Sequence, residues 1–358
     1  MDPLLLELPL RANEASALAE VVFQQVEGKR LTDDLRNRAA GRAELLGLET
    51  IVPYLGSLQA DPNHPNSYFL AVDAVRGGVV KPYLLRLASA SAPSSGLFQK
   101  SILIGRMRPG GGREIVINAV PFAAEQQEEI RTFAQEIDRF FLPKPCGAAL
   151  SISSPDANAF TDFKKILNES NLNVAACAGE WHAGVLGAIR AGWRDGYSIA
   201  SSALVLRRDT DALDEVLKLT GYTKLVLDVS GIDPESRKVA VSEVLDASIK
   251  ANAAQQWTWK RPDLEISWQS AGMPTQPGEI TALTSQLRET GRAVQSVSPF
   301  LSEDWLETVQ AVRETGAVLA LDSSQPNLQQ IARACGGRVH CRAQPGEDTL
   351  ALFKRLRG

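Results

Sequence analysis

A (β/α)8 barrel with an appended N-terminal α+β region is the fold class predicted by three observations. Short apolar runs of strand length alternate with helix-patterned segments from residue 114 onward. Strands joined by helices pair in parallel, because a parallel neighbour needs a long crossover. Eight such units are present, the count of a barrel that takes about 250 residues. An open doubly wound parallel sheet is the alternative. The division falls near residue 113, giving an N-terminal region over 1–113 and the barrel domain over 114–358.

In the N-terminal region, Asn13 to Val26 reads as an amphipathic helix capped by Asn13. Thr32 to Leu46 starts at a Thr cap followed by Asp33 and Asp34. Short strands follow at Tyr68–Val75, Tyr83–Ala88 and Ser101–Met107. Pro109-Gly-Gly-Gly112 then turns the chain into Glu114–Val120, a hairpin signal. In the barrel domain the strands are expected at Ile115–Val120, Ala148–Ser153, Leu172–Ala178, Tyr197–Leu206, Lys224–Val229, Leu264–Trp268, Ala293–Val297 and Ala317–Leu321. The intervening segments carry helix punctuation, such as Asp156 at an N-terminus and Gly221, Gly291 and Gly316 beyond C-termini. A ninth run, Arg338–Arg342, reads as a tail or cap before a terminal helix.

Composition narrows the function classes. Of 358 residues 44% are apolar, enough to bury a globular core. Lys and Arg number 38 against 42 Asp and Glu, a net charge of −4 that argues against a dedicated nucleic-acid or anionic-membrane binder. No stretch approaches the roughly 20 apolar residues of a membrane span. The start, MDPLLLELPL, lacks a basic region and makes a poor signal peptide. The four cysteines form no C-x-x-C pair, so reduced thiols in a cytoplasm are the expected setting. With three histidines, a His-rich metal site is excluded and a mixed carboxylate/His site is not.

In a closed parallel barrel, polar groups just after the strands converge on one face. That rule selects the site. Glu180 and His182 can bind a cation or exchange a proton, or simply cap the next helix. Asp228 and Asp322 each end an apolar strand, where a carboxylate must be solvated, paired or metal-bound. Glu180, His182 and Asp228 are therefore the catalytic candidates. Glu180, Asp228 and Asp322 are the candidate ligands for a divalent ion, Mg2+, Mn2+ or Zn2+. Asn118, Gln269, Ser296, Ser298, Ser323 and Ser324 are the substrate-binding candidates. Arg106-Met-Arg-Pro-Gly-Gly-Gly-Arg113 matches no nucleotide-binding motif and reads as a hairpin turn, so no nucleotide cofactor is indicated. His340, alternating with Val339 and Cys341, reads as a packed or surface residue.

Residues 187–234 resemble the tagaturonate/fructuronate epimerase family of sugar-acid enzymes. The residues that carry the resemblance are Arg190-Ala-Gly-Trp-Arg-Asp-Gly-Tyr197, the helix Asp211–Leu219, Gly221 and Leu225-Val-Leu-Asp-Val-Ser230. The resemblance implies a barrel, a divalent metal, epimerisation of ketohexuronates and a pocket role for Asp228. Ser198-Ile-Ala-Ser-Ser-Ala-Leu204 stands where that family leads one to expect an acidic/His run. The expected function is a sugar or sugar-acid isomerase or epimerase acting by metal-assisted proton transfer beside a carbonyl. The alternative is a non-catalytic barrel that binds a carbohydrate or a protein partner. The expected ligand is a small carbohydrate or other small anion, with no nucleic acid and no membrane; homo-oligomerisation stays open.

Overall fold

The computed structural model describes residues 10–357, apart from 65, 93–95, 99–100, 124, 138–149, 157–158, 170–180, 195, 208–211, 217–218, 256 and 258–260. The chain divides into two compact units. One comprises residues 1–142 with 185–194, and the other residues 143–184 with 195–358.

The first unit is built on an antiparallel sheet. Its strands are β1 (Ile51–Pro53), β2 (Gln59–Ala60), β3 (Tyr68–Arg76), β4 (Val79–Ser89), β5 (Ile102–Met107) and β6 (Ile115–Pro121). They run in the order β1-β3-β4-β6-β5, with β2 also on β3. Alternation decides which residues meet the helices. Leu70 and Val72 of β3, Leu85 and Leu87 of β4, and Ile115 and Ile117 of β6 form one core with Leu18, Val22 and Phe23 of helix α1 (Ala12–Val26). On the opposite face Phe69 meets Phe98 and Phe133. Helix α2 (Asp33–Glu44) begins at the expected Thr32 cap, whose side chain accepts from the Leu35 N–H. Helix α1 begins at Ala12, one residue before Asn13, with no side-chain cap.

Two sequence expectations are corrected here. Ile115–Val120 was expected to open the barrel, yet β6 pairs antiparallel with both β4 and β5. The glycine-rich turn that joins β5 to β6 forces antiparallel pairing, so both strands belong to one sheet. A boundary at 113 cuts this hairpin, and the first unit extends past it.

The second unit carries a seven-stranded sheet, every pairing of which is parallel. Its strands are β7 (Ser151–Ser153), β8 (Leu204–Val205), β9 (Lys224–Asp228), β10 (Asp263–Ser267), β11 (Ser296–Ser298), β12 (Val318–Asp322) and β13 (Val339–Arg342). The order is β7-β13-β12-β11-β10-β9-β8. From β8 to β13 consecutive strands are neighbours, and the first strand, β7, pairs with the last, β13. The run Arg338–Arg342 is thus a full member of the sheet and not a tail. The expected strand Leu172–Ala178 lies outside the described residues. Helix α3 (Gln127–Thr132) belongs to the first unit, and among the helices of the second are α4 (Phe160–Glu169), α6 (Ala212–Val216), α7 (Pro234–Ala254), α8 (Pro277–Glu289), α9 (Leu306–Thr315), α10 (Leu328–Ala334) and α11 (Thr349–Arg357). Helix α5 (Trp181–Ala191) begins in the second unit and ends in the first. Among the described residues no helix is long and apolar enough to cross a membrane.

The strands read as apolar runs in the sequence, yet only one face of the sheet is apolar. Successive side chains point to opposite faces. Leu225, Leu227, Leu264, Ile266, Leu319 and Leu321 share one register, buried and apolar. The other register carries Lys224, Asp228, Glu265, Ser296, Ser298, His340 and Arg342, also mostly buried. That polar face is concave. Arg342 on β13 bonds Glu265 on β10, across two intervening strands. Three strand spacings amount to about 14 Å on a flat sheet, so the contact requires strong curvature.

Candidate functional site

Glu265 organises the concave face. Its side chain is 1% exposed and bonds Arg342, with Lys224 Nζ at 3.5 Å and the Ser296 hydroxyl donating at 2.9 Å. Burial alone raises a carboxyl pKa, but the Arg342 and Lys224 charges outweigh it and hold Glu265 below the usual carboxylate range. Burial likewise works against the Arg342 charge, and Glu265 and Asp322 overcome it, holding the guanidinium above its ordinary value. Arg342 Nη1 also donates to Ser298 Oγ (3.3 Å) and stands 3.6 Å from Asp322 Oδ1. The Asp322 side chain is 46% exposed, so this pair reaches from the buried network to solvent.

His340 lies on the same face. Its Nδ1 is 2.8 Å from Ser151 Oγ and its Nε2 3.1 Å from Ser153 Oγ. Burial pushes its pKa well down, and the Lys224 and Arg342 charges push the same way. The ring is therefore neutral, one nitrogen donating and the other accepting.

Loops at the carboxyl ends complete the site. Asp228 is fully buried. Its Oδ1 accepts from the Ser230 N–H (3.0 Å), and its Oδ2 from the Ser267 hydroxyl (2.9 Å) and the Ser270 N–H (3.1 Å). It fixes two loops at once, as a turn-forming aspartate does. A cavity of about 590 Å3 opens beyond β10, β11 and β12, within the usual range of about 300–1,000 Å3 for ligand sites. Gln269, Phe300, Glu303, Trp305, Gln325 and Asn327 are among its walls. Gln269 Nε2 donates to the Pro299 carbonyl (2.6 Å) and approaches Ser298 Oγ at 3.5 Å, which links the cavity wall to the Arg342 network. Gln325, also in the wall, donates its N–H to the Asp322 carbonyl at 3.0 Å.

The expected site residues part company in this structure. Gln269 lines the cavity, Ser298 and Asp322 meet Arg342, and Ser296 meets Glu265. Ser323 bonds Glu347 and borders a second, smaller cavity of about 340 Å3. Ser324 is exposed on the same loop. Asn118 stands in β6 of the antiparallel sheet of the first unit, opposite Arg86 and Leu103. His182 is buried in the first turn of α5, its ring against Trp181. Glu180 lies outside the described residues. Sequence reasoning missed Glu265, Lys224, Arg342, Trp305 and Asn327. The signal for Glu265 was available: Leu264-Glu-Ile266 sets a carboxylate inside an apolar strand.

Both oxygens of Asp228 are taken by protein donors, and Glu265 and Asp322 face cationic side chains. Among the described residues no three His, Cys, Asp or Glu side chains converge as ligands would.

No family model and no curated protein matches the sequence. Solved structures do match in fold. A glycerol-complexed fructuronate-tagaturonate epimerase UxaE from Cohnella laeviribosi superposes with a TM-score of 0.56 and 15% identity, over 88% of this chain and 74% of that one. The native form of that enzyme gives 0.55 and 16%, over 86% and 75%. The local resemblance of residues 187–234 to this epimerase family is thus matched by a likeness of fold spanning most of the chain.

Proposed function

We propose that the chain is a carbohydrate isomerase or epimerase built on a closed (β/α)8 barrel, with its site at the carboxyl ends of β10 to β13. The observation that carries the reading is the Asp322–Arg342 pair, a half-exposed carboxylate 3.6 Å from a guanidinium beside a ligand-sized cavity. Proton abstraction beside a carbonyl needs a base and a positive group where the enediolate oxygen develops. Asp322 is the base, and Arg342 stabilises the oxyanion. Glu265 and Lys224 are positioning residues that hold Arg342 in one orientation. Asp228 organises the adjoining loops. Glu180, known from the sequence alone, and His182 are proposed as the second acid/base group. Closure of the ring is supported by the pairing of the first strand with the last, with the eighth strand expected at Leu172–Ala178. The epimerase named among the similar structures supports the class of substrate.

A second reading, a barrel that binds carbohydrate without turnover, is favoured by the burial of His182 and Asp228. Deuterium uptake from heavy water at the carbon beside the carbonyl separates the two. Fructuronate, tagaturonate, fructose and tagatose are incubated with the protein and followed by NMR. Uptake is expected with at least one of them, and Asp322→Asn is expected to slow it about 10²–10⁴-fold. A protein that is stabilised by a sugar yet neither exchanges deuterium nor interconverts the members of either pair is the binder, and the isomerase reading then fails.

A further inference from the structure

Resting on the carbohydrate reading above, we infer that the cavity beyond β10–β12 takes a neutral sugar or sugar alcohol and rejects a sugar acid. Three side-chain amides, Gln269, Gln325 and Asn327, line it together with Ser302. The Gln325 and Asn327 amides carry donors and an acceptor, the pattern that reads hydroxyl groups, and Gln269, whose Nε2 is engaged by Pro299 and Ser298, adds its acceptor oxygen. The rings of Phe300 and Trp305 supply flat apolar wall for the C–H face of a pyranose or furanose.

Charge decides between neutral and acidic ligands. Glu303 is the one charged residue of the wall, and among the described residues it has no ion-pair partner. The neighbouring cations already face carboxylates, Arg355 of the adjoining cavity facing Glu347 at 3.3 Å. Lys224 faces Glu265, and Arg342 faces Glu265 and Asp322. A ligand carboxylate entering the cavity would lose water, meet Glu303 and find no cationic side chain among the described residues of the wall. Burying an unpaired charge beside a like charge is costly. A hydroxymethyl group in the same place forfeits nothing, since the amides can bond it.

Paired ligands test this directly. Fructose and tagatose carry a hydroxymethyl group where fructuronate and tagaturonate carry a carboxylate. Affinity is measured by calorimetry on the full chain, with Glu303→Gln, Gln325→Ala and Trp305→Ala checked for folding by circular dichroism. The neutral sugar of each pair is expected to bind at least about tenfold tighter than its acid. Glu303→Gln is expected to narrow that gap. Trp305→Ala and Gln325→Ala are each expected to weaken the neutral sugar about tenfold. Tighter binding of the acid, or a gap unmoved by Glu303→Gln, overturns the ligand class while leaving a carbohydrate site standing. If no sugar of either kind binds, the ligand class and the carbohydrate reading fall together.

Discussion

His340 shows how a single side chain couples the concave face to solution conditions. It is buried between Ser151 and Ser153, and burial together with Lys224 and Arg342 keeps its folded-state pKa well below the ordinary value. In the unfolded chain a histidine takes a proton near pH 6.5. Below that pH the unfolded state binds the proton and the folded state refuses it, so stability falls on acidification and is flat above. The slope approaches about 1.4 kcal/mol per pH unit for one proton. Glu265 works in the same sense at lower pH, its depressed carboxyl giving stability that is lost only as pH falls below about 4.3. Urea melts between pH 7 and pH 5 therefore isolate the histidine. His340→Gln should lower stability at pH 7 and flatten this limb; a limb of unchanged slope would show that another group causes it. The alternation Val339-His-Cys341 did reveal that His340 faces away from its apolar neighbours. It did not reveal that the face it joins is polar, because the partners come from β7, β9 and β10, hundreds of atoms away along the chain. Asp228 was legible for the same local reason, as a carboxylate closing an apolar run. Its three donors, which make it a loop organiser, depend on how Ser267 and Ser270 are brought to it.

At the scale of elements, the stretch from Arg190 to Tyr197 explains why a run of packing residues carries a family resemblance. Arg190 Nη2 bonds Asp73 Oδ1 on β3 at 2.9 Å, and Arg194 bonds the Gly56 carbonyl. Tyr54 OH donates to Asp73 Oδ2 at 2.5 Å, and burial, then this bond, pushes the phenol up to about 12. Gly192 follows α5 with φ +60, where a Cβ would sit 2.6 Å from the Gly56 Cα. The end of the helix thus rests backbone to backbone on the short turn Leu55–Ser57. Gly196 also has positive φ, +82, but a Cβ there would meet nothing within 4 Å. The two glycines separate steric contact from backbone conformation. Gly196→Ala should cost about 1–2 kcal/mol, the left-handed penalty alone. Gly192→Ala adds an overpacked backbone contact and should cost about 2–5 kcal/mol. Equal losses in chemical denaturation would mean that the close approach to Gly56 is not rigid. Close packing and positive φ thus coincide at Gly192, and only positive φ is met at Gly196.

For the whole molecule, the legible quantity was the rhythm and the hidden one was partnership. Local pattern marks a strand as a strand, but its neighbour is chosen by contacts far away in sequence. Ile115–Val120 had the right pattern and the wrong sheet, and Arg338–Arg342 was read as a tail although β13 pairs with both β12 and β7. The two errors exchange one member for another, leaving seven parallel strands among the described residues. What decides between barrel and open sheet is the space between β7 and β8, the two ends of the observed order. In an open sheet both are edges, presenting unpaired backbone groups beside a buried polar face, which is costly. In a closed ring the segment Leu172–Ala178 pairs with both. Amide hydrogen exchange distinguishes the cases without disturbing the protein. Closure predicts that peptides covering 172–178 exchange as slowly as those covering β9, whose neighbours β8 and β10 flank it on both sides. Val174→Pro, which removes a ladder donor from the middle of that segment, should then destabilise the second unit by about 3 kcal/mol or more. Exchange at the rate of an unprotected peptide, together with a neutral Val174→Pro, would establish an open sheet and move the proposed site from a closed rim to a sheet edge.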